Sequence, residues 1–441
     1  MIKIADNKIR WAISAVCALL ILFGTYRNVF SLAAFLGCCL MIFFFDKESI
    51  LLQLFFIMPM ANIFKHSPGT QSFFTILLLL YVVLHLVLPR KATLLVFLFA
   101  VYVVIGELFV GQFNLFRTIK LVCNILFLSS IMNENVNLCH KETFLSYIIG
   151  NMVASFFGLM DSNFFRIDDY VGVVEFKNAE MEVDVFRFSG LIGDPNYYAV
   201  GIVISICLIV LLLHTEEISS VFALILTVPF VYFLIQTYSK SSLVMMFAPV
   251  IFLLYSFLHK KNYSAILVLI ITMLFAISLI MTGKIPAINV TIERFLIAET
   301  SEGVDVNNLT TGRFNLWMLY IKTIVKNIRI MLFGGGIIAS LIEQHASHNT
   351  YIDIIYHLGL FGAVLLFASL KSILSQSTHV RIKRNILNYS VLICIIIMYF
   401  FLGELFSYDP PFHIYLAFVV LNIPFENDSL LLKRSEKTSS D

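Results

Sequence analysis

Apolar runs separated by short polar turns follow one another along almost the whole chain. Most runs approach the ~20 residues that a helix needs to cross a bilayer, and most charged residues fall in the turns. The runs lie at about 11–24, 29–45, 50–64, 71–89, 92–110, 115–132, 143–160, 196–213, 217–236, 240–258, 264–282, 350–371, 385–403 and 411–424. This pattern predicts an all-α, polytopic transmembrane protein of about 12–14 helices, the lower numbers applying if one or two short runs are re-entrant.

The composition excludes a water-soluble globular protein. Of 441 residues, 59% are hydrophobic and 13% are charged, whereas soluble domains are about half apolar and a quarter charged. The net charge of +2 gives no indication of a nucleic-acid partner, and we expect none. The seven cysteines avoid both long loops between the runs, so we expect neither a disulfide nor a thiolate metal site.

The distribution of lysine and arginine predicts the orientation. With the N-terminus in the cytoplasm, nearly all basic turns fall on the cytoplasmic side, and the short outer turns hold only Arg27, Lys65 and Lys240. Both termini are therefore predicted to be cytoplasmic. The resulting segments are N-terminal membrane helices at 1–160, a first outer loop at 161–195, central membrane helices at 196–282, a second outer loop at 283–349 that contains an amphipathic helix, C-terminal membrane helices at 350–424 and a cytoplasmic tail at 425–441.

Two polar stretches on the predicted outer side each carry a cation beside hydrogen-bonding groups. In the first, 187–199, an Asp-Pro pair is typical of a helix start, with a capping carboxylate followed by proline at the first helical position. The second, 237–242, is a tight turn that holds Lys240 among hydroxyl groups. Plainer interpretations stay open, with Arg187 as a loop arginine at the lipid headgroups and Lys240 as a lysine that extends to the membrane surface.

The third stretch, 310–317, opens a helix that is predicted to run to about Arg329 inside the second outer loop. At 100° per residue, Arg313 projects from the side opposite Lys322, so the two cations meet different surroundings. Lys322 forms a basic face with Lys326 and Arg329 toward solvent or headgroups, whereas Arg313 points toward whatever the opposite face covers.

The fourth stretch lies where the second outer loop re-enters the membrane, and it contains His345 and His348. A metal site is a weak interpretation, because two imidazoles at this spacing lack a third ligand. Imidazole ordinarily titrates near neutral pH, which makes His348 the best general-base candidate on the outer side. A histidine at the mouth of a helix is also commonly a structural hydrogen-bonding group, and this alternative stays open.

Charged side chains inside the apolar runs add to the outer set. Arg117 and Lys120 lie three residues apart on one helix face, and Glu107 ends the preceding run; pairing of Glu107 with either cation is the plainer interpretation. The candidate cations of the outer half are then Arg117, Lys120, Arg187, Lys240 and Arg313. Such a cluster suits a pyrophosphate, because guanidinium groups bind phosphate oxygens in a bidentate fork.

The four stretches, in this order and spacing, resemble the O-antigen polymerase and O-antigen ligase superfamily over residues 185–365. The matching residues are R-F-S-G-L-I-G-D-P-N-Y-Y-A from 187, T-Y-S-K-S-S from 237, T-G-R-F-N-L-W from 311, G-G-G from 334, and S-H-N-T-Y-I-D from 347 with H-L-G-L-F-G from 357. The family usually has arginine where this chain has Lys240, a point charge without the fork. D-P-N-Y and T-G-R are more similar to the repeat-unit polymerases of O-antigen, capsule and exopolysaccharide than to the ligases.

The resemblance implies a glycosyltransferase on the outer face of a bacterial inner or plasma membrane. Its donor is a glycan on polyprenyl pyrophosphate, usually undecaprenyl, and its acceptor is a sugar hydroxyl of another lipid-linked repeat unit. His348 is then the base toward that hydroxyl, while Arg187 and Arg313 bind the pyrophosphate. The residues implied to assist or to shape the substrate pocket are Lys240, Asn349, Tyr351, Asn196, Arg117 and Lys120.

The resemblance also implies no metal or other cofactor, and partners that include the lipid bilayer, a chain-length regulator and a flippase. Three other functions stay open. A ligase would use the same chemistry on a different acceptor, such as lipid A core, protein or wall. A transporter or flippase for lipid-linked oligosaccharide fits less well, because the chain shows no internal repeat and its candidate groups gather on one side; a structural scaffold fits least.

Overall fold

The computed structural model is a bundle of helices with one short strand pair among the residues that it describes. These residues are 7–85, 90–110, 115–132, 140–160, 162–171, 187–264, 266–267, 270, 299–300, 303–304, 310, 312–336, 342, 347–375, 386–403 and 412–421. The strands, β1 (Glu299–Thr300) and β2 (Gly303–Val304), pair antiparallel within the predicted second outer loop. The all-α prediction is confirmed for the described chain.

Each predicted apolar run coincides with a helix, except the run at 264–282, most of which lies outside the described residues. The N-terminal helices are α1 (Asn7–Tyr26), α2 (Asn28–Phe44), α3 (Lys47–Ile57), α4 (Phe73–His85), α5 (Arg90–Val110), α6 (Leu115–Met132) and α7 (His140–Phe157). The central helices are α8 (Ser162–Phe165), α9 (Ile167–Val171), α10 (Pro195–His214), α11 (Ser220–Gln236) and α12 (Lys240–His259). The C-terminal helices are α13 (Arg313–Lys326), α14 (Ile328–Phe333), α15 (Thr350–Leu374), α16 (Ser390–Tyr399) and α17 (Phe412–Val420), and short 3-10 helices lie at Met58–Met60 and Ile386–Tyr389.

Three helices of the described chain are long and apolar enough to cross a membrane. They lie at Lys8–Tyr26, Pro195–His214 and Thr350–Leu374. Other apolar helices are shorter; α16 has 10 residues and α17 has 9. The architecture is therefore all-helical with candidate membrane spans, and the larger number of crossings stays a prediction.

Helix α10 is the centre of the bundle, since nearly every side chain along it is buried. As predicted, Asp194 caps it and Pro195 occupies its first turn, with the carboxylate accepting hydrogen bonds from the backbone N–H groups of Asn196 (2.7 Å) and Tyr197 (3.3 Å). The cap fixes where the first polar stretch ends and where α10 begins.

Polar side chains join α10 to its neighbour α7. The Asn151 amide donates to Ser205 Oγ at 2.9 Å, and the Tyr198 hydroxyl donates to Ser155 Oγ at 2.7 Å. Such hydrogen bonds between buried side chains satisfy polar groups that would otherwise be unpaired inside the bundle, and they fix how the two helices pack. This contact sets the position of the N-terminal turn of α10, which carries part of the candidate site.

The loops among the described residues fall at two ends of the bundle. The site end holds the turns at 24–28, 61–72, 187–194, 237–239 and 400–403; Asn62 Nδ2, for example, donates to the Ile192 carbonyl at 3.0 Å. The opposite end holds the start of α7 and the turns at 214–219 and 259–262, where Arg10 pairs with Glu142 and Lys260 Nζ lies 2.7 Å from Glu216 Oε1. The described loops are divided as the charge alternation predicts, while the compartment that each end faces stays a prediction.

The amphipathic helix predicted to continue to about Arg329 is two helices, so the prediction of one continuous helix is wrong. Asn327 has an extended backbone (φ −119°, ψ 95°) between α13 and α14. Its side-chain oxygen accepts hydrogen bonds from the N–H groups of Arg329 (3.1 Å) and Ile330 (3.3 Å) and so caps α14. The predicted separation of faces is confirmed on α13, because Lys322 is exposed, whereas Arg313 is half-buried and donates to the Phe401 carbonyl.

A glycine kink in α15 receives the G-G-G segment at 334–336. Gly359 has φ 67° and ψ 179°, a conformation that is essentially restricted to glycine. The N–H groups of Gly335 and Gly336 donate to the carbonyls of Tyr356 (2.8 Å) and His357 (3.1 Å) just before the kink. The kink therefore docks the end of the second long loop onto α15.

Candidate functional site

Arg187 joins the first two polar stretches. Its side chain is buried, and Nε donates to the Thr237 carbonyl at 2.9 Å while Nη2 donates to Asn196 Oδ1 at 3.2 Å. Ser239 Oγ donates to the same Asn196 oxygen at 2.8 Å. Asn196 thus connects the guanidinium to the tight turn, and both of its contacts depend on the capped start of α10.

Lys240 is the first residue of α12 and is half-buried. It follows Ser239 directly, and Ser239 Oγ lies 3.0 Å from Ser241 Oγ. Lys240 therefore directly follows the turn that Arg187 binds, and the hydroxyl groups of Ser239 and Ser241 precede and follow it in sequence.

The turn after α16, at 400–403, is where the first, third and fourth stretches meet. Four side chains from three stretches donate hydrogen bonds to successive backbone carbonyls of this turn. The bonds are Asn349 Nδ2 to Phe400 O (3.2 Å), Arg313 Nη1 to Phe401 O (2.6 Å), Thr350 Oγ1 to Leu402 O (2.6 Å) and Tyr197 OH to Gly403 O (2.7 Å). The 400–403 turn therefore holds Arg313 between groups from the first and fourth stretches.

Arg313 keeps most of its hydrogen-bonding capacity at this position. Burial lowers the pKa of its guanidinium, and the nearby charge of Asp194 opposes that shift. A guanidinium has five N–H donors and stays protonated in proteins. Within the described chain its hydrogen bond goes to Phe401, so donors are left that can bind an anion.

His348 has a left-handed backbone, with φ 51°, and its side chain is half-buried. Both neighbours are anchored: Trp317 Nε1 of α13 donates to the Ser347 carbonyl at 3.0 Å, and Asn349 caps α15 by accepting from the Tyr351 N–H at 3.0 Å. Strain of this kind persists where the surroundings over-determine it, commonly at functional sites. The fold therefore holds the imidazole next to Asn349. Asn349 binds the Phe400 carbonyl, and Arg313 binds the next carbonyl of the same turn, that of Phe401.

A buried carboxylate supports the His348 backbone. Ser347 Oγ donates to Asp353 Oδ1 at 2.5 Å and accepts a hydrogen bond from the Asn349 N–H at 3.0 Å. Asp353 is also packed so tightly against Gly403 that a Cβ there would clash with the carboxylate. One carboxylate thus touches both the His348 turn and the 400–403 turn.

Tyr351 braces two helices. Its hydroxyl donates to the Ile396 carbonyl at 3.0 Å, and its ring lies 4.8 Å from the Phe400 ring. The predicted pocket residue therefore connects the start of α15 to the end of α16, beside the 400–403 turn.

Arg117 belongs to a second polar cluster, near the glycine kink. Arg117 lies near His357, and His357 Nδ1 is 2.8 Å from the Gly336 carbonyl. The buried Glu107 carboxyl packs against Gly336. Lys120, one turn along α6 from Arg117, is buried as well. The described contacts thus divide the five predicted cations. Arg117 lies beside the glycine kink, whereas Arg187 and Arg313 are bound near the 237–239 and 400–403 turns.

Sequence reasoning assigned no role to Tyr197, Ser347 or Asp353, although all three lie inside the quoted stretches. A serine before histidine and a carboxylate one to two turns later give a usable signal, since such residues commonly form local hydrogen bonds. The carbonyls of the 400–403 turn carry no such signal, because backbone groups are the same at every position. His345 lies outside the described residues.

Within the part of the chain that the structure describes, no cluster of three or more histidine, cysteine or carboxylate side chains is placed to hold a metal ion. No protein-family model, curated protein or solved structure matches this chain.

Proposed function

We propose that the protein is a polysaccharide polymerase that transfers a glycan from polyprenyl pyrophosphate to a sugar hydroxyl of another lipid-linked repeat unit. The observation that carries the proposal is the junction at the 400–403 turn. There Arg313, Asn349 and Tyr197, from three separate stretches, bind carbonyls of the same turn, and Asn196, next to Tyr197, binds Arg187. The same stretches carry the resemblance to the polymerase and ligase superfamily.

The proposed reaction is a direct displacement at the anomeric carbon. The acceptor hydroxyl oxygen forms a bond to this carbon and gives its proton to His348, while the bond from the carbon to the pyrophosphate oxygen breaks. The electron pair leaves with polyprenyl pyrophosphate, and Arg313 and Arg187 stabilise the developing negative charge. The anomeric configuration is inverted, and the pyrophosphate provides the leaving group, so no nucleotide is needed.

The proposal places the site end at the outer face of the membrane, with about 12–14 crossings and both termini in the cytoplasm. The division of the loops between two ends supports this arrangement, because the predicted cytoplasmic Arg10, Lys141 and Lys260 lie at the opposite end from Arg187 and Arg313. A substrate whose lipid tail stays in the bilayer then meets the site at the membrane surface.

The decisive experiment uses the purified full-length protein in detergent with lipid-linked repeat units. We expect polymer from the wild type, and a loss of about 10²- to 10⁴-fold in rate for His348→Ala, the range for removal of a general base. His66→Ala is the matched control, since His66 is exposed at the same end. Without a membrane barrier a flippase makes no polymer, so an inactive wild type would refute the proposal, and a fully active His348→Ala would refute the role of His348.

A deletion strain separates the polymerase from the ligase. Loss of a polymerase leaves a single repeat unit on the final acceptor. Loss of a ligase leaves lipid-linked polymer without its acceptor, and that glycan profile would replace our proposal with the ligase.

A further inference from the structure

Helix α13 exposes a stripe of apolar side chains on its surface. Phe314, Met318, Ile321 and Val325 recur at helical spacing and fall within about 60° of one another at 100° per residue. All four are exposed, Val325 by 67%. The stripe is therefore an apolar surface that the described chain leaves uncovered.

The other two sides of α13 are different. The protein-facing side contains Arg313, Trp317 and Tyr320; Trp317 donates to the Ser347 carbonyl, and the Tyr320 ring lies 4.9 Å from the Tyr356 ring. On the far side of the stripe, about 90° away, Lys322 and Lys326 are exposed. The stripe thus lies between a side that packs on the bundle and a side that is cationic.

The exposed apolar surface continues onto a candidate membrane span. Phe333 of α14 is 53% exposed, and its ring stacks on that of Phe361 of α15 at 5.3 Å. Phe361, Val364 and Phe367 form an exposed apolar face along α15. If α15 crosses the bilayer, the surface at Phe333 meets acyl chains directly.

A cation marks the edge of this surface. Arg329 of α14 is exposed, and its Nη2 donates to the carbonyl of Phe109 at 3.4 Å, at the end of α5. The Phe109 side chain is itself 77% exposed. Cations thus border the apolar surface, as in helices that lie in a membrane interface with basic groups among headgroups.

We infer that α13 and α14 lie in the plane of the membrane, with the stripe at the boundary of acyl chains and headgroups and with Lys322 and Lys326 on anionic headgroups. The inference rests on the membrane-spanning part of the proposed function, since it needs α15 to cross the bilayer, and it does not need polymerase activity. It gives the helix pair a role: Arg313, the first residue of α13, is held at the depth of lipid phosphate groups.

The test uses tryptophan fluorescence of the full-length protein in vesicles of phosphatidylcholine and phosphatidylglycerol. The variants are Val325→Trp on the stripe, Val364→Trp on α15 and Asn315→Trp on the lysine side, each an exposed position. The fluorescence that each new tryptophan adds to that of the two native ones is measured with two quenchers, bromine on the acyl chains and iodide in the water. We expect Val325→Trp to be quenched by brominated lipid as Val364→Trp is, and Asn315→Trp to be quenched by iodide.

Each other outcome overturns the inference in a distinguishable way. Iodide quenching of Val325→Trp with lipid quenching of Val364→Trp refutes the in-plane helix and leaves the proposed function standing. Iodide quenching of both refutes the membrane span in α15 as well, and protection of Val325→Trp from both quenchers shows that protein covers the stripe.

The role of the lysines is tested in the same protein. Lys322→Glu combined with Lys326→Glu is expected to reduce lipid quenching of Val325→Trp in anionic vesicles and to have no such effect in pure phosphatidylcholine, because basic residues gain attraction from anionic lipid. Equal quenching in anionic vesicles with and without the substitutions would refute the headgroup contact.

Discussion

The candidate-site cations Arg187 and Arg313 have different partners from the cations at the opposite end, although Arg166 at the site end also pairs with a carboxylate, that of Asp169. At the opposite end, Arg10 pairs with Glu142 and Lys260 with Glu216. At the site end, the Arg313 guanidinium donates to the Phe401 carbonyl and Arg187 donates to neutral oxygens of Thr237 and Asn196. A carboxylate partner cancels the charge of a cation, whereas a neutral oxygen positions the cation and leaves its charge to act on something else.

The comparison separates cations that have carboxylate partners within the fold from those that the proposed function assigns to the substrate. An ion pair contributes at most modestly when it is exposed, as Glu216 is, whereas removing one partner of a more buried pair, such as Arg10 and Glu142, costs more because the other charge is left unpaired. A guanidinium that donates to a neutral carbonyl keeps other N–H donors, as Arg313 does. An anionic substrate would bind those donors.

The largest expected effect comes from removing the Arg313 charge. Arg313→Ala should lower polymer formation at least about 100-fold, the cost of removing one group that stabilises transition-state charge. Arg313→Lys should recover part of that loss, because the charge returns without the bidentate fork. The measurement is the initial rate of polymer formation per amount of purified protein.

Lys260→Ala is the matched control at the opposite end, and we expect its rate to stay close to that of the wild type. Equal losses for Arg313→Ala and Lys260→Ala would mean that the two ends do not differ in function. A wild-type rate for Arg313→Ala would remove Arg313 from the reaction.

A smaller effect is expected when a neutral acceptor at the site end becomes a carboxylate. Asn196→Asp keeps the size of the side chain and puts a carboxylate oxygen where Asn196 Oδ1 now lies, 3.2 Å from Arg187 Nη2, so that Arg187 gains a carboxylate partner as Arg10 has. We expect about a tenfold lower rate, the loss of roughly 1.4 kcal/mol of stabilisation, because Arg187 is neutralised before the substrate binds.

Thermal unfolding of Asn196→Asp in detergent supplies the second readout. We expect a midpoint at or above that of the wild type, since a new ion pair forms. A rate equal to the wild type's would show that the charge of Arg187 is not used, and a large fall in the midpoint would show that Asn196 is needed only for folding.

The smallest effect is expected from the reverse exchange at the opposite end. Glu142→Gln replaces a carboxylate with a neutral oxygen at the partly buried Arg10 pair. We expect about 1 kcal/mol less stability, since hydrogen bonds to charged groups exceed neutral ones by roughly this amount, and an unchanged rate of polymer formation. Thermal unfolding and the polymer assay measure the two quantities, and a lost activity at wild-type stability would contradict the division of roles.

Local patterns predicted a large part of the fold. The apolar runs coincide with helices wherever the structure describes them, because backbone N–H and C=O groups buried among apolar side chains must bond to one another. The Asp194-Pro195 helix start and the opposite directions of Arg313 and Lys322 on α13 were predictable for the same reason, since caps and helix faces depend on neighbours a few residues away.

Interruptions of helices were harder to predict. The break at Asn327 combines a capping residue with an apolar pattern that continues on both sides, and the pattern alone favours an unbroken helix. The kink at Gly359 depends on the G-G-G segment that packs against it, more than twenty residues earlier in the chain. A glycine inside an apolar run does not by itself distinguish a kink from a regular helix.

The sequence by itself determined the all-helical class, the helix positions and the residue types from which an anion site can be built, because hydrophobic periodicity and capping act over a few residues. Only the tertiary structure decided that Arg187 binds Asn196, that Arg313, Asn349 and Tyr197 meet on the 400–403 turn, and that Arg117 lies near His357 instead. Those contacts use backbone carbonyls and helix ends that are distant along the chain, and carbonyls carry no residue-specific signal. Their meeting depends on how whole helices pack, which no local pattern encodes.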